Sequence, residues 1–157
     1  MCAMKTKTIG LTVVFCFLAG GLCFATDLQM GTWKLNEAKS KATPGMGKVT
    51  MVTYKNTLGN VKVAVDGVDA KGKPTHNEWS GKIDGKDYPV TGDPTSDARS
   101  YTKVSDRTMD FATKKGGKTT TTGRIEVAAD GKSRSVTATR TDPNGKKVKS
   151  TSVYDKQ

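Results

Sequence analysis

His76 is the only histidine in a chain of 157 residues, and Glu78 and Ser80 follow it at alternate positions. In an extended segment those three side chains share one face. A base, a carboxylate to orient it and a hydroxyl to activate are the parts of nucleophilic catalysis. The same parity argues against that use, because Trp79 and Ile83, the apolar residues of the segment, occupy the opposite face. If Trp79 points inward, His76 and Glu78 point to solvent. The expectation is a solvated pair, no catalytic residue is assigned, and the chain is read as a non-enzyme.

Metal chemistry has little to draw on. Tight transition-metal sites use several His or Cys ligands, and the three cysteines, Cys2, Cys16 and Cys23, all lie near the start. Asp84 with Asp87, or Asp93 with Asp97, could offer hard oxygen to a calcium ion, but neither has EF-hand spacing and turn formation explains both pairs. No metal or cofactor is expected. Gly116-Gly117 between lysines is a turn, since no phosphate-loop spacing or serine elbow is present.

The charge is basic and dispersed. Lys114, Lys115 and Lys118 flank Gly116-Gly117, Lys146, Lys147 and Lys149 follow Asn144-Gly145, and Arg134 and Arg140 share a segment. Lysines at hairpin tips attract anionic surfaces weakly, and they also keep sheets from associating edge to edge. Only Tyr54 and Tyr101 are available as platforms for stacked bases, so nucleic acid is not an expected partner.

Residues 1–25 differ in kind from the rest. After Lys5 and Lys7 the chain runs uncharged from Thr8 to Ala25 through Ile9, Leu11, Val13, Phe15 and Leu18, the pattern of a secretory signal peptide. The expected cut follows Ala25, with Cys23 and Ala25 as the small residues before it. The apolar run, broken by Gly20 and Gly21, is short for a membrane span, so no stable transmembrane anchor is expected after cleavage. What remains, residues 26–157, is one domain without cysteine, expected in the periplasm or outside the cell. Its charge falls from +11 to +9, since two of the 26 Lys and Arg leave and all 15 Asp and Glu stay.

Only 18 of those 132 residues are Leu, Ile, Val or Phe, which with the charge lies near the disordered range. Pattern decides for folding. Val61, Val63 and Val65 alternate with other residues, as do Met109 and Phe111, Ile125 and Val127, and Val136 and Ala138, and period two is the strand period. Asp66-Gly67, Asp84-Gly85, Gly116-Gly117, Asp130-Gly131 and Asn144-Gly145 are pairs that suit tight hairpins. Strands are expected near 49–56, 60–68, 74–83, 86–91 and 98–104 and between the last three turns, with a single helical turn around 36–41. Nine or ten sequential strands make an all-β, antiparallel up-and-down barrel, which leaves no open edge; a two-sheet sandwich is the alternative.

Gly31-Thr32-Trp33 resembles the Gly-x-Trp opening of lipocalin-like, or calycin, barrels. Ala38-Lys39-Ser40-Lys41, the stretch from Asp84 to Gly92 and the ending Val153-Tyr154-Asp155-Lys156 resemble a group of small exported bacterial proteins, mostly of unassigned function. The first resemblance implies that Trp33 closes one barrel end and that a small apolar or amphipathic ligand is bound. The bulky residues expected inside are Trp33, Leu35, Val61, Val63, Val65, Trp79, Ile83, Met109, Phe111, Ile125, Val127, Val136 and Tyr154. Small residues such as Thr121, Gly123, Ala138, Ser150 and Ser152 fill other inward positions and leave room. Trp33, Val63, Trp79, Phe111 and Val127 are the expected ligand-binding residues, with a solid core and a basic exterior contacting anionic polymers or membranes as the alternative.

Overall fold

The structure, a computed structural model, describes residues 27–41, 43, 46–142 and 145–157. The expected signal peptide lies outside them, as does Asn144 of the expected Asn144-Gly145 turn. Ten strands follow one another: β1 (Gly31–Lys41), β2 (Lys48–Thr57), β3 (Asn60–Val68), β4 (Pro74–Gly81), β5 (Tyr88–Thr91), β6 (Ala98–Lys103), β7 (Thr108–Lys115), β8 (Lys118–Val127), β9 (Ser133–Thr141) and β10 (Lys147–Lys156). Each pairs antiparallel with its neighbours in sequence, and β1 also pairs with β10, closing an up-and-down barrel. The sandwich alternative falls.

Alternation places the core. Register carries one inward row around the wall from Trp33 to Val52, Val65 and Asn77, and another from Tyr54 to Val63, Trp79 and Val90. On the other side Met109, Ile125, Val136 and Ser152 are cross-strand partners in turn. All seven aromatic residues after position 26 lie inside: Trp33, Tyr54, Trp79, Tyr88, Tyr101, Phe111 and Tyr154. Tyr54 and Tyr101, the candidate base platforms, are therefore in the core and not on the surface. Gly81 lies under the Tyr88 ring and Gly123 under the Phe111 ring, so each glycine makes room for the aromatic group across from it.

Three local expectations are corrected. Residues 36–41 are strand and not a helical turn, because β10 supplies backbone partners. A bulge between Asn36 and Lys41 is pinned there by the Ser40 hydroxyl, which donates to the Asn36 carbonyl at 2.7 Å and accepts from the Val153 amide at 2.9 Å. Asp66-Gly67 is not a turn. Gly67 faces β2 where Val49 and Met51 straddle a bulge, and a Cβ there would strike the Lys48 carbonyl. The segment expected near 74–83 stops at Gly81, leaving Ile83 in the connection to the short β5.

The turn between β2 and β3 is Leu58-Gly59, with φ of 33° and 87°. Both positive angles suit a type I′ hairpin, whose first residue is best Asn and is poorly served by Leu, here fully exposed. Leu58→Asn is expected to stabilise the protein by about 1 kcal/mol, read as a higher urea midpoint with unchanged slope. A midpoint that falls would refute the strain.

Candidate functional site in the barrel interior

The two barrel ends differ. At the end where the chain enters, residues 27–30 lie across the opening. The Trp33 indole N–H donates to the Gln29 carbonyl at 2.9 Å, the Gln29 side-chain amide donates to the Arg107 carbonyl at 3.3 Å, and Lys156 reaches the Leu28 carbonyl at 3.4 Å. Beneath this cap Trp33, Val63, Trp79, Met109, Ile125 and Val127 are all buried. Tyr101 stands edge-on to Trp79 at 4.8 Å and to Tyr54 at 6.2 Å between ring centroids, tying both sides of the core together.

The sequence sets Arg134 among the dispersed basic residues expected at the surface. The structure corrects that: it is 2% exposed and points into the barrel, because its parity on β9 is that of Val136. Its guanidinium carbon lies 4.7 Å from the Trp33 ring centre, 5.0 Å from Tyr54 and 5.3 Å from Tyr154. Burying an isolated guanidinium costs several kcal/mol; desolvated ring faces at about 1–2 kcal/mol each offset part of that. Its Nε and Nη1 nevertheless have no hydrogen-bond partner, and no ion pair forms with it among the described residues. Burial pushes the Tyr54 and Tyr154 phenols above their ordinary values, so both stay neutral beside it. Arg99 also points inward, donating from Nη2 to Asn77 Oδ1 at 2.9 Å while its Nη1 is unpartnered.

The opposite end is different. There Phe111, Val136, Ala138, Ser150 and Ser152 face inward by register and are partly exposed. Leu35 is partly exposed beside them. Ten strands enclose a wider bore than the eight that side chains can just fill. Of the five residues expected to touch a ligand, Phe111 lies in this partly exposed row. Trp33, Val63, Trp79 and Val127 pack against one another in the filled half.

Outside, an open groove of about 480 Å³ crosses the wall over Ser100, Ala112, Thr122 and Thr137, bordered by an Asp110–Arg124 ion pair with Nε to Oδ1 at 2.7 Å. The aspartates are used by turns: Asp84 accepts from the Lys86 amide and the Tyr88 hydroxyl, Asp93 from Thr95 and Ser96, and Asp97 from the Gly116 amide.

His76 is exposed on the outer face of β4. Its Nδ1 is 2.6 Å from Asp66 Oδ1, and Glu78 is paired with Lys62 at 2.9 Å, while Trp79, next along the strand, is buried. The hydrogen bond with Asp66 raises the His76 pKa above its ordinary 6.5. A raised folded-state value means that this pair stabilises the fold below the unfolded pKa and loses that effect as pH rises through the folded one. His76→Ala is therefore expected to lower the urea midpoint more at pH 5.5 than at pH 8.5; the reverse order would refute the pairing.

No protein-family model matches the sequence, and no curated protein matches it. Among solved structures the chain is similar to EF1p2_mFAP2b bound to DFHBI, at 13% identity and a TM-score of 0.47, over 85% of this chain and 97% of that one. It is also similar to mFAP1, a redesigned β-barrel bound to DFHBI, at 15% identity and a TM-score of 0.43, over 82% and 95%. A third, the redesigned β-barrel b11L5F_LGL, has 14% identity and a TM-score of 0.45, over 87% and 97%.

Proposed function

We propose that this chain is an exported, non-catalytic binding protein that takes a small apolar or amphipathic molecule into the open half of its barrel. The observation that carries this reading is the row of inward-register, mostly small and partly exposed residues, Phe111, Val136, Ala138, Ser150 and Ser152. Small side chains there leave space, and Phe111, Val136 and Leu35 supply apolar contact worth about 25 cal/mol per Å² before ordering costs. The filled half acts as a floor. The leader over residues 1–25 and the lipocalin-like opening Gly31-Thr32-Trp33 support export and ligand carriage.

Titration with fluorescent apolar probes tests the reading, with saturable one-to-one binding expected and its absence counting against it. Native mass spectrometry of protein from its own host would then identify a co-purifying ligand. The exposed lysines Lys71, Lys73, Lys115, Lys118, Lys146 and Lys147 favour a second reading, weak contact with anionic envelope polymers or membranes. Such contact is expected to fade near 0.15 M salt, whereas binding inside the barrel is expected to persist.

A further inference from the structure

We infer that the β2 to β7 side of the capped end docks on an anionic lipid surface, with Leu58 and Val104 entering the apolar boundary and Lys55, Lys82 and Arg107 at the head groups. Such docking needs no ligand inside the barrel. Among the described residues only Met51, Leu58 and Val104 are large apolar groups left exposed, and the last two stand at loop tips on this one end. Leu58 lies in the turn between β2 and β3, and Val104 opens the turn between β6 and β7, where its amide donates to the Thr108 carbonyl at 2.9 Å. Register joins both tips into one rim. Val61 pairs with Gly81, which sets Lys82 beside the first tip, and Asp84 bridges to Thr102, two residues before Val104.

Backbone strain at Leu58 points the same way. It is the only residue other than glycine at positive φ among the described residues, and its side chain is fully exposed, so the strain is not offset by any burial within the barrel. A protruding apolar tip can instead sink about 5–10 Å into the boundary between head groups and acyl chains, as interfacial helices do, where turn backbone stays hydrated. Charge selects the surface. Residues 55–62, 82–87 and 103–107 carry six Lys and Arg against three Asp, a net +3. The three carboxylates are engaged: Asp84 accepts from the Tyr88 hydroxyl, Asp87 pairs with Lys114 and Asp106 with Lys103. Lys55, Lys82 and Arg107 are exposed and enter no ion pair among the described residues, which leaves them to attract anionic head groups.

The test is co-sedimentation of the whole exported protein with vesicles of equal parts phosphatidylglycerol and phosphatidylcholine, against phosphatidylcholine alone, at 0.15 M salt. Binding to the anionic vesicles is expected, at least tenfold tighter than to the neutral ones. Leu58→Asn keeps every charge and relieves the strain, so it is expected to raise stability and yet weaken binding about tenfold, the share of a leucine side chain partly withdrawn from water. Adding Val104→Ser is expected to weaken it further. Leu58→Trp is expected to keep the binding and to show a blue-shifted emission with anionic vesicles, since the native Trp33 and Trp79 are already buried. Absence of binding to the anionic vesicles, binding that Leu58→Asn leaves unchanged, or an emission from Leu58→Trp that vesicles do not shift overturns docking through this end. None of these outcomes bears on ligand binding inside the barrel.

Discussion

Trp33→Ala is expected to remove about 3–5 kcal/mol of stability, the usual cost of deleting a buried large aromatic group. Here the loss is more than a cavity. The indole is fully buried, its N–H is the donor that holds the Gln29 carbonyl and with it the cap over residues 27–30, and its face covers the Arg134 guanidinium at 4.7 Å and the Lys156 ammonium at 5.1 Å. Removing it leaves a buried carbonyl without its donor and a buried cation with one fewer ring. Since domains of this size are stable by only about 5–15 kcal/mol, the variant should be largely unfolded in modest urea. Trp33→Phe keeps most of the apolar contact and loses only the donor, so its cost should be about 1–3 kcal/mol. Urea titration followed by circular dichroism measures both. A Trp33→Ala protein within about 1 kcal/mol of wild type would show that the cap is not anchored through this side chain.

The wall of the barrel was legible because backbone constraints are local. Gly116, Gly117 and Gly131 all sit at positive φ where tight turns were read, and Val61, Val63 and Val65 alternate as a strand requires. Trp79 fixed the parity of β4 and hence sent His76 outward. Parity failed on β2, where the bulge at Val49 and Met51 slips the alternation by one residue and hides that Val52 and Tyr54 face inward. The cap over residues 27–30 has no period to read. Arg134 carried a signal that charge obscured: it alternates with Val136 and Ala138, so its parity was inward, but a guanidinium is normally placed at the surface unless it is paired.

Those missed residues change what the interior can do. Thirteen scattered bulky groups suggest one roomy cylinder, whereas Tyr54, Tyr88, Tyr101, Val52, Val90 and Arg134 add further volume inside it, and Arg99 is buried towards the other end. The small inward residues lie on the β7 to β10 side, where Gly123, Ala138, Ser150 and Ser152 stand. A barrel of this kind joins a packed, aromatic-rich floor around Arg134 to a wall of smaller inward residues. Rigidity of the floor matters for affinity, because groups already ordered by packing lose less entropy when a ligand arrives.

Filling that recess with the protein's own methyl groups should therefore do two things at once. In the double variant Ala138→Ile and Ser152→Ile, both added side chains point inward from neighbouring strands, and β-branched residues suit the strands that carry them. If the recess is open, the new groups bury apolar surface that previously had no partner, and stability should rise by about 1–3 kcal/mol. If the space is already packed, the same groups overfill it, and stability should fall by about 1–3 kcal/mol. The open recess leads us to expect the rise, together with at least a tenfold loss of affinity for any probe the wild-type barrel binds. The two readouts check each other. A destabilised double variant would show that β9 and β10 face a solid core, while a stabilised one that binds probes as well as wild type would place the ligand elsewhere, on the outer groove or the lysine-bearing turns.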